Sequence, residues 1–290
     1  MTGGSEWQGR VGRAWADEWR RTDRSFAALN PHLLGAIAAQ PGTRLVDIGC
    51  GAGTLSIALA QARPDAQVTG IDISADLIAM ASERAAQLGT PRVRFRHGDA
   101  GEWANPQGPD SGGLADLLVS RHGVMFFADP PRVFRHLAAQ CAPGARLVFS
   151  CFRDRAANGW ADLFDAVLPP APAAAAPEGA FPAGPFAFAD PDHARRCLAG
   201  WADITFTPVD FRYVAGAGDD PVADAIGFFT RIGPAAARLA ALAGNDLHAA
   251  PDAMAEVLTP HCHDGVVSLP AAAWVVTAIS DHADCANPLV

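Results

Sequence analysis

Apolar and polar positions alternate in two ways along this chain, as short unbroken apolar runs and as longer amphipathic segments. Leu45-Val46-Asp47-Ile48 is too short a run for a helix. It ends in Gly49-Cys50-Gly51-Ala52-Gly53, after which Thr54–Ala60 has helical character. That order predicts a buried strand, a tight turn and a helix start. Ala66–Ser74 makes a second strand, and Ala75–Leu88 a helix capped by Ser74 and stopped by Gly89. Val93–Ala100 is a third strand, residues 104–113 a loop and Leu114–Ser120 a fourth strand. Asp129-Pro130 then opens a helix through Ala139, and a turn at Cys141–Gly144 leads into a fifth strand, Ala145–Phe152. Strand and helix repeating in this way predict a parallel, doubly wound sheet with its ligand at the strand C-termini.

The flanks follow other patterns. Val11, Trp15, Trp19 and Phe26 fit one face of a helix, and a second helix runs from Asn30-Pro31 to Pro41-Gly42. Leu168–Pro191 is dense in proline, alanine and glycine and carries Phe181, Phe186 and Phe188, which require burial. A partly ordered cap is the expectation there. Asp192–Ala199 then predicts a short helix, Ile204–Val214 a sixth strand, 219–258 two helices and Ala271–Ile279 a closing strand antiparallel beside the fifth. The expected fold is α/β, a doubly wound, mostly parallel, seven-stranded Rossmann-like sheet with an antiparallel final strand. It divides into a helical arm or lid at 1–40, a core at 41–152, a cap insertion at 153–200 and a C-terminal completion with helical cap at 201–290.

The chemistry concentrates in the first turn. Glycines at alternate positions let main-chain N–H groups approach a ligand without a Cβ in the way. The spacing is G-x-G-x-G and not the G-x-G-x-x-G of a dinucleotide turn, and Asp47 sits two residues before the first glycine. A carboxylate repels a pyrophosphate but suits an ammonium and a sulfonium, which tilts the expectation toward S-adenosylmethionine. Asp72, ending the second strand, is placed to accept hydrogen bonds from ribose hydroxyls. Asp99, ending the third, suits an adenine amino group, with the Ala100 N–H facing the ring.

Together Val46–Gly53, Gly70-Ile71-Asp72-Ile73-Ser74 and Gly98-Asp99-Ala100 resemble the class I S-adenosylmethionine-dependent methyltransferases. The likeness is strong over about 40–152. The runs Ser120–Pro130 and Phe181–Pro191 are similar to a bacterial subgroup related to quinone and small-molecule methyltransferases. The resemblance implies that Asp47, Gly49, Cys50, Gly51 and Gly53 hold the amino-acid end of the cofactor. It places Asp72 and Ile73 at the ribose, Asp99 and Ala100 at the adenine, and Ser120 near the methionine carboxylate or the sulfonium. The implied reaction is in-line displacement at the sulfonium methyl, leaving S-adenosylhomocysteine. The family commonly has an aromatic residue where this chain has His122. As a group titrating near pH 7, His122 is the best candidate for a general base, with substrate shape or a structural hydrogen bond as its alternative role. Arg121 is a partner for the cofactor carboxylate, a substrate acid or a neighbouring aspartate. Trp7, Trp15, Phe181 and Phe186 are candidates to cover a partly apolar acceptor such as a quinone precursor, a phenol or a polyketide-like product.

Composition narrows the classes further. The formal charge is −9, and every one of the 22 basic residues is arginine. No basic run suggests a nucleic acid or an anionic membrane as partner. The six cysteines include no C-x-x-C pair, which suits reduced thiols in the cytoplasm. His261-Cys262-His263-Asp264 lacks a second ligand pair, so no metal is expected. A monomer or homodimer fits equally. The rival readings are a cofactor-binding protein without methyl transfer, such as a regulator or a cyclase-like enzyme, and a nicotinamide oxidoreductase.

Overall fold

In the computed structural model, which describes residues 4–104, 113–170, 181 and 183–281, the first strand is β1 (Arg44–Ile48), buried over its last four residues. Residues 105–112 of the expected loop, residues 171–180 and 182 of the expected cap, and Cys285 lie outside the described residues. Ahead of β1 stand four helices, α1 (Gly4–Trp7), α2 (Arg10–Asp17), α3 (Trp19–Ser25) and α4 (Asn30–Ala38). The expected single helix through Phe26 is broken at Glu18, whose φ of −94° and ψ of 17° end α2 and begin α3. The break turns Trp19 beneath Arg84, whose guanidinium carbon lies 3.7 Å from the ring centroid.

After β1 the chain alternates as its pattern predicts, through α5 (Thr54–Ala62), β2 (Gln67–Asp72), α6 (Ala75–Gln87), β3 (Val93–His97), β4 (Ala115–Arg121), α7 (Pro130–Ala139) and β5 (Cys141–Phe152). The Ser74 hydroxyl caps α6 by accepting from the Leu77 N–H at 3.3 Å, and the Asp129 carboxylate caps α7 through the Arg132 N–H at 3.1 Å. The turn expected at Cys141–Gly144 instead belongs to β5, where an irregular register beside β4 absorbs it.

The rest of the chain comprises α8 (Pro191–Cys197), β6 (Trp201–Ala217), α9 (Pro221–Phe229), α10 (Pro234–Leu239), α11 (Gly244–Leu258), β7 (Cys262–His263) and β8 (Val266–Ser280). The two helices expected over 219–258 are therefore three, with Gly233 at φ +83° preceding the second. The closing strand starts earlier than expected because β7 and β8 form a hairpin through Asp264 and Gly265, both at positive φ. His263 and Asp264 thus lie at a hairpin turn.

Among the described residues, eight strands join one sheet in the order β3-β2-β1-β4-β5-β8-β6, with β7 added beside β8. The sheet has one strand more than expected, the two-residue β7. Pairings from β3 to β5 are parallel, and β8 runs antiparallel between β5 and β6. The chain moves outward from β1 to β3 and then returns to place β4 on the other side of β1. That reversal opens a crevice at the strand ends, where ligands of such sheets bind.

The crevice is built by a backbone contact. A Cβ on Gly49 would lie 2.8 Å from Gly123 Cα, and one on Gly123 would lie 2.6 Å from the Ile48 carbonyl oxygen. Gly51 differs, since a Cβ there meets nothing within 4 Å although its φ is +54°. Gly123→Ala is expected to cost about 1–3 kcal/mol through overpacking against immovable backbone. Gly51→Ala carries only the left-handed penalty of about 1–2 kcal/mol and leaves the Gly49–Gly123 contact intact. Urea unfolding of the two variants checks the ranking; equal, negligible losses would contradict the contact.

Candidate active site

A cavity of about 540 Å³ lies over the C-terminal ends of the strands, roofed by α2, α3 and α10. Its size is that of a small-molecule site. The strand order divides its wall by chemistry. The β1, β2 and β3 ends supply Asp47, the glycine turn, Asp72 and Asp99, whereas the β4, β5 and β6 side supplies His122, Phe152 and Tyr213.

In the acidic half, Asp47 is 1% exposed. The Ser56 hydroxyl donates to its Oδ2 at 2.6 Å, while Oδ1 is buried with no hydrogen-bond partner. Burial pushes the Asp47 carboxyl up to about 7 against the pull of Ser56 and, further away, of Arg121. A lone buried carboxylate oxygen is costly unless a donor or cation meets it. Beside it, Gly51 lines the cavity with no side chain and open space where one would project. An orphaned acceptor and a bare backbone therefore fit the ammonium-bearing end of S-adenosylmethionine.

Asp72 does more than end β2. Its Oδ2 accepts the Gly51 N–H and its Oδ1 the Ser74 N–H, both at 2.9 Å, so it ties the glycine turn to the start of α6. Burial raises its pKa, and these main-chain donors oppose the rise. Ile73 borders the same cavity. Asp99 accepts the Gly101 N–H at 2.7 Å in a turn and, with the buried Ala100, closes that end of the wall. Cys50 is buried inside the turn, with its thiol pushed well up by desolvation and by Asp72 and Asp47, so it is inert. Ser120 is not among the residues bordering the cavity. Its hydroxyl donates to the Ile48 carbonyl at 2.7 Å and accepts the Gly123 N–H at 3.1 Å, stapling β4 to β1.

His122 follows β4 at φ +62° and is 6% exposed. Its Nδ1 lies 2.8 Å from the Ser150 hydroxyl, its N–H donates to the Ser150 carbonyl at 3.1 Å, and its Nε2 is buried without a partner. The expectation of a group titrating near pH 7 is corrected here. Burial, helped by Arg121, lowers the imidazole to about 3, so it is neutral across the physiological range. Arg121 pairs with an aspartate, one of its three anticipated partners, and the aspartate comes from the arm.

That residue, Asp23, is a junction the sequence does not single out. It binds Arg121 at 2.9 Å and Arg84 at 3.0 Å and accepts the Thr54 hydroxyl at 2.6 Å. Arg84 also donates to the Ala52 carbonyl at 2.6 Å, so the arm is pinned to the glycine turn itself. Of the expected cover residues, Trp7 and Trp15 border the cavity and touch each other at 5.5 Å between centroids, and Trp7 meets Phe126 at 5.0 Å. Phe181 and Phe186 do not border it. Phe181 lies toward His193, and Phe186 stacks at 5.5 Å on Trp160, which does border it. Trp160 was legible only as an aromatic shortly after β5. Thr22 and Ser150 carry no sequence signal.

Comparison with known proteins agrees with this geometry. A family profile described as a methyltransferase domain matches residues 39–170. A trans-aconitate 2-methyltransferase of Deinococcus radiodurans is 34% identical over 131 residues, 45% of this chain and 46% of that protein. A 27-O-demethylrifamycin SV methyltransferase of Amycolatopsis mediterranei is 32% identical over 139 residues, 48% of this chain and 49% of that one. A ubiquinone biosynthesis O-methyltransferase of Paracidovorax citrulli is 30% identical, covering 47% of this chain and 57% of that protein. The chain spans about half the length of the curated relatives it matches. A structure solved in work on the conversion of a disulfide bond into a thioacetal group during echinomycin biosynthesis shares the fold, with TM-score 0.52 and 18% identity over 89% of this chain and 82% of that one. Among the described residues no helix is long and apolar enough to cross a membrane. The sheet and the glycine turn with its buried aspartate agree with the matched segment: over residues 39–170, somewhat less than half of the chain, the protein is similar to a methyltransferase domain.

Proposed function

We propose that this chain is an enzyme that transfers the methyl group of S-adenosylmethionine to a small molecule with a partly apolar body, such as a quinone precursor or a phenolic metabolite. The observation that carries the reading is the buried, half-satisfied Asp47 beside the bare turn at Gly49–Gly53. Bound there, the cofactor supplies a methyl group already activated on a sulfonium. The protein's own part is then mainly placement, since holding two reacting atoms near contact removes most of the entropic barrier.

The residues divide that task. Asp47 and the turn hold the amino-acid end, Asp72 with Ile73 the ribose, and Asp99 with Ala100 the adenine. The arm lies across the top, and its anchorage through Asp23 keeps water from the reacting centre. His122, neutral and buried, presents a hydrogen-bonding nitrogen to the acceptor and leaves no standing charge there. The same sheet could hold a nicotinamide dinucleotide, but a buried carboxylate at the glycine turn disfavours a pyrophosphate.

Calorimetric titration with S-adenosylmethionine, S-adenosylhomocysteine and NADH is the direct check. Micromolar binding of the first two and none of NADH is expected; NADH binding alone would overturn the reading. The affinity is also expected to depend on pH in a set direction. With the folded Asp47 carboxyl at about 7, above its ordinary value of 3.8, the ligand-free fold favours the protonated form. Its contribution to ligand-free stability is present below about pH 4 and is lost as pH rises through 7. A cationic ligand reverses that preference and expels the proton. Affinity for S-adenosylmethionine should therefore rise roughly tenfold from pH 6 to pH 7.5, and the rise should vanish in Asp47→Asn. Asp72→Ala should weaken binding by roughly 1–3 kcal/mol; unchanged affinity in the folded variant would remove Asp72 from the ribose.

A further inference from the structure

We infer that the half of the cavity built on β4, β5 and β6 selects an uncharged, planar, hydroxylated ring, and that Trp160 and Thr22 join His122 in selecting it. The inference rests on the proposed methyl transfer and names the acceptor class for it. The aromatic half is a continuous set of rings. His122 lies 4.3 Å from Phe152 and 4.8 Å from Phe26, while Trp160 lies 4.8 Å from Phe152 and 6.0 Å from Tyr213, all between centroids. Phe26 and Phe152 meet their neighbours tilted or edge-on, whereas Trp160 and Tyr213 are inclined by only 29°, and it is this near-parallel pair at the wall that favours a flat guest. Trp160 is held from behind by Phe186, whose ring is inclined only 14° to it, so the plane it offers is set before a ligand arrives.

Three side chains bordering this half are buried and have a polar atom without a partner: Thr22 Oγ1, His122 Nε2 and Trp160 Nε1. All three residues are less than 10% exposed. Orphaned polar atoms are rare inside proteins, and three along one wall point to a ligand with matching groups. The Trp160 N–H only donates, so its partner is an acceptor oxygen. The Thr22 hydroxyl and the imidazole either donate or accept, which suits a hydroxyl. Tyr213 adds none, because its hydroxyl hydrogen-bonds Ser25 and its pKa is raised to about 12 by burial.

Charge sets the second criterion. His122 stays neutral, and Arg121 is already neutralised by Asp23. Arg231, at the rim, is paired with Asp17 and Glu18. A carboxylate entering this half would be desolvated, and among the described residues Arg121 and Arg231 are already paired, while Arg10 borders the cavity from an exposed position on α2. A di- or tricarboxylate is therefore a poor guest, and a neutral diol or hydroxy-ketone on an aromatic ring a good one.

A matched pair of probes tests this: 2,3-dihydroxynaphthalene, and 3-hydroxy-2-naphthoate, which replaces one hydroxyl by a carboxylate. Each is titrated calorimetrically into protein saturated with S-adenosylhomocysteine. The diol is expected to bind at least tenfold more tightly than the naphthoate. Trp160→Phe, which keeps the stacking ring and removes the N–H, should weaken the diol roughly threefold to tenfold. His122→Asn, tolerated at positive φ, should do the same, and neither variant should alter affinity for S-adenosylhomocysteine. Equal binding of the two probes, or full diol affinity in both folded variants, would overturn the inference. If S-adenosylhomocysteine gives no binding, the cofactor reading fails by itself. The contrast between the two probes in ligand-free protein then supports or overturns the acceptor class.

Discussion

The approach of two backbones at Gly49 and Gly123 is the constraint on which the site depends. Each glycine occupies the space that a Cβ on the other would need, so the turn after β1 and the turn after β4 meet without side chains between them. This contact brings the two halves of the sheet to a common edge, with Ser120 fastening it from below through the Ile48 carbonyl and the Gly123 N–H. Asp47 and His122 stand on either side of the junction, each with one buried polar atom unsatisfied. Their environments push both toward the neutral form, the carboxyl by gaining a proton and the imidazole by losing one. The ligand-free site is therefore a low-charge enclosure at its centre, and a cationic ligand on the Asp47 side changes that balance.

A second element, Asp23, turns the helical arm from an appendage into part of the wall. Two guanidinium groups and a hydroxyl converge on it from α6, β4 and α5. Arginine suits this junction because its planar fork reaches a carboxylate and a carbonyl at once, as Arg84 does with Asp23 and Ala52. Burial of the pair makes the geometry matter more than it would at an exposed surface.

The parallel half of the sheet and the cofactor wall were legible in the sequence because their signals are local. A strand ending in alternate glycines, a capping serine at Ser74 and a proline after Asp129 each act within a few residues. The antiparallel closing strand was also visible as an apolar run, although its hairpin start was not, because Cys262–Gly265 is polar and suggested ligands more than a turn. The acceptor side was hidden for a different reason. Only tertiary packing brings Ser150 to His122 and Thr22 and Trp160 to the cavity that His122 borders, and Phe186, whose apolarity suggested substrate contact, stacks on Trp160 away from the cavity lining. The shift in His122 was equally out of reach, since it comes from burial and from Arg121 and not from any neighbouring motif. A helix that looked continuous through Trp19 breaks at Glu18, whose carboxylate pairs with Arg21 and Arg231 in the docked arm.

The position of β8 has a consequence for how the molecule is assembled. The β8 strand separates β5 from β6, so β6 has no neighbour in the sheet until the chain some 50 residues further on has returned between them. Strands β1 to β5, by contrast, pair in the order in which a ribosome would deliver them or soon after. Pairs such as Arg44 with Gln67 and Ser120 with Phe149 are near in the chain, β1 with β4 closes a longer loop, and β5 with β8, as in Arg146 with Ile279, closes a longer one still and forms slowly. The cofactor wall on β1 to β3 is thus a product of early, local pairing, whereas the acceptor wall, begun by β4 and β5, is completed only when β8 fixes β6 beside them. A growing or refolding chain would have the first before it had the second.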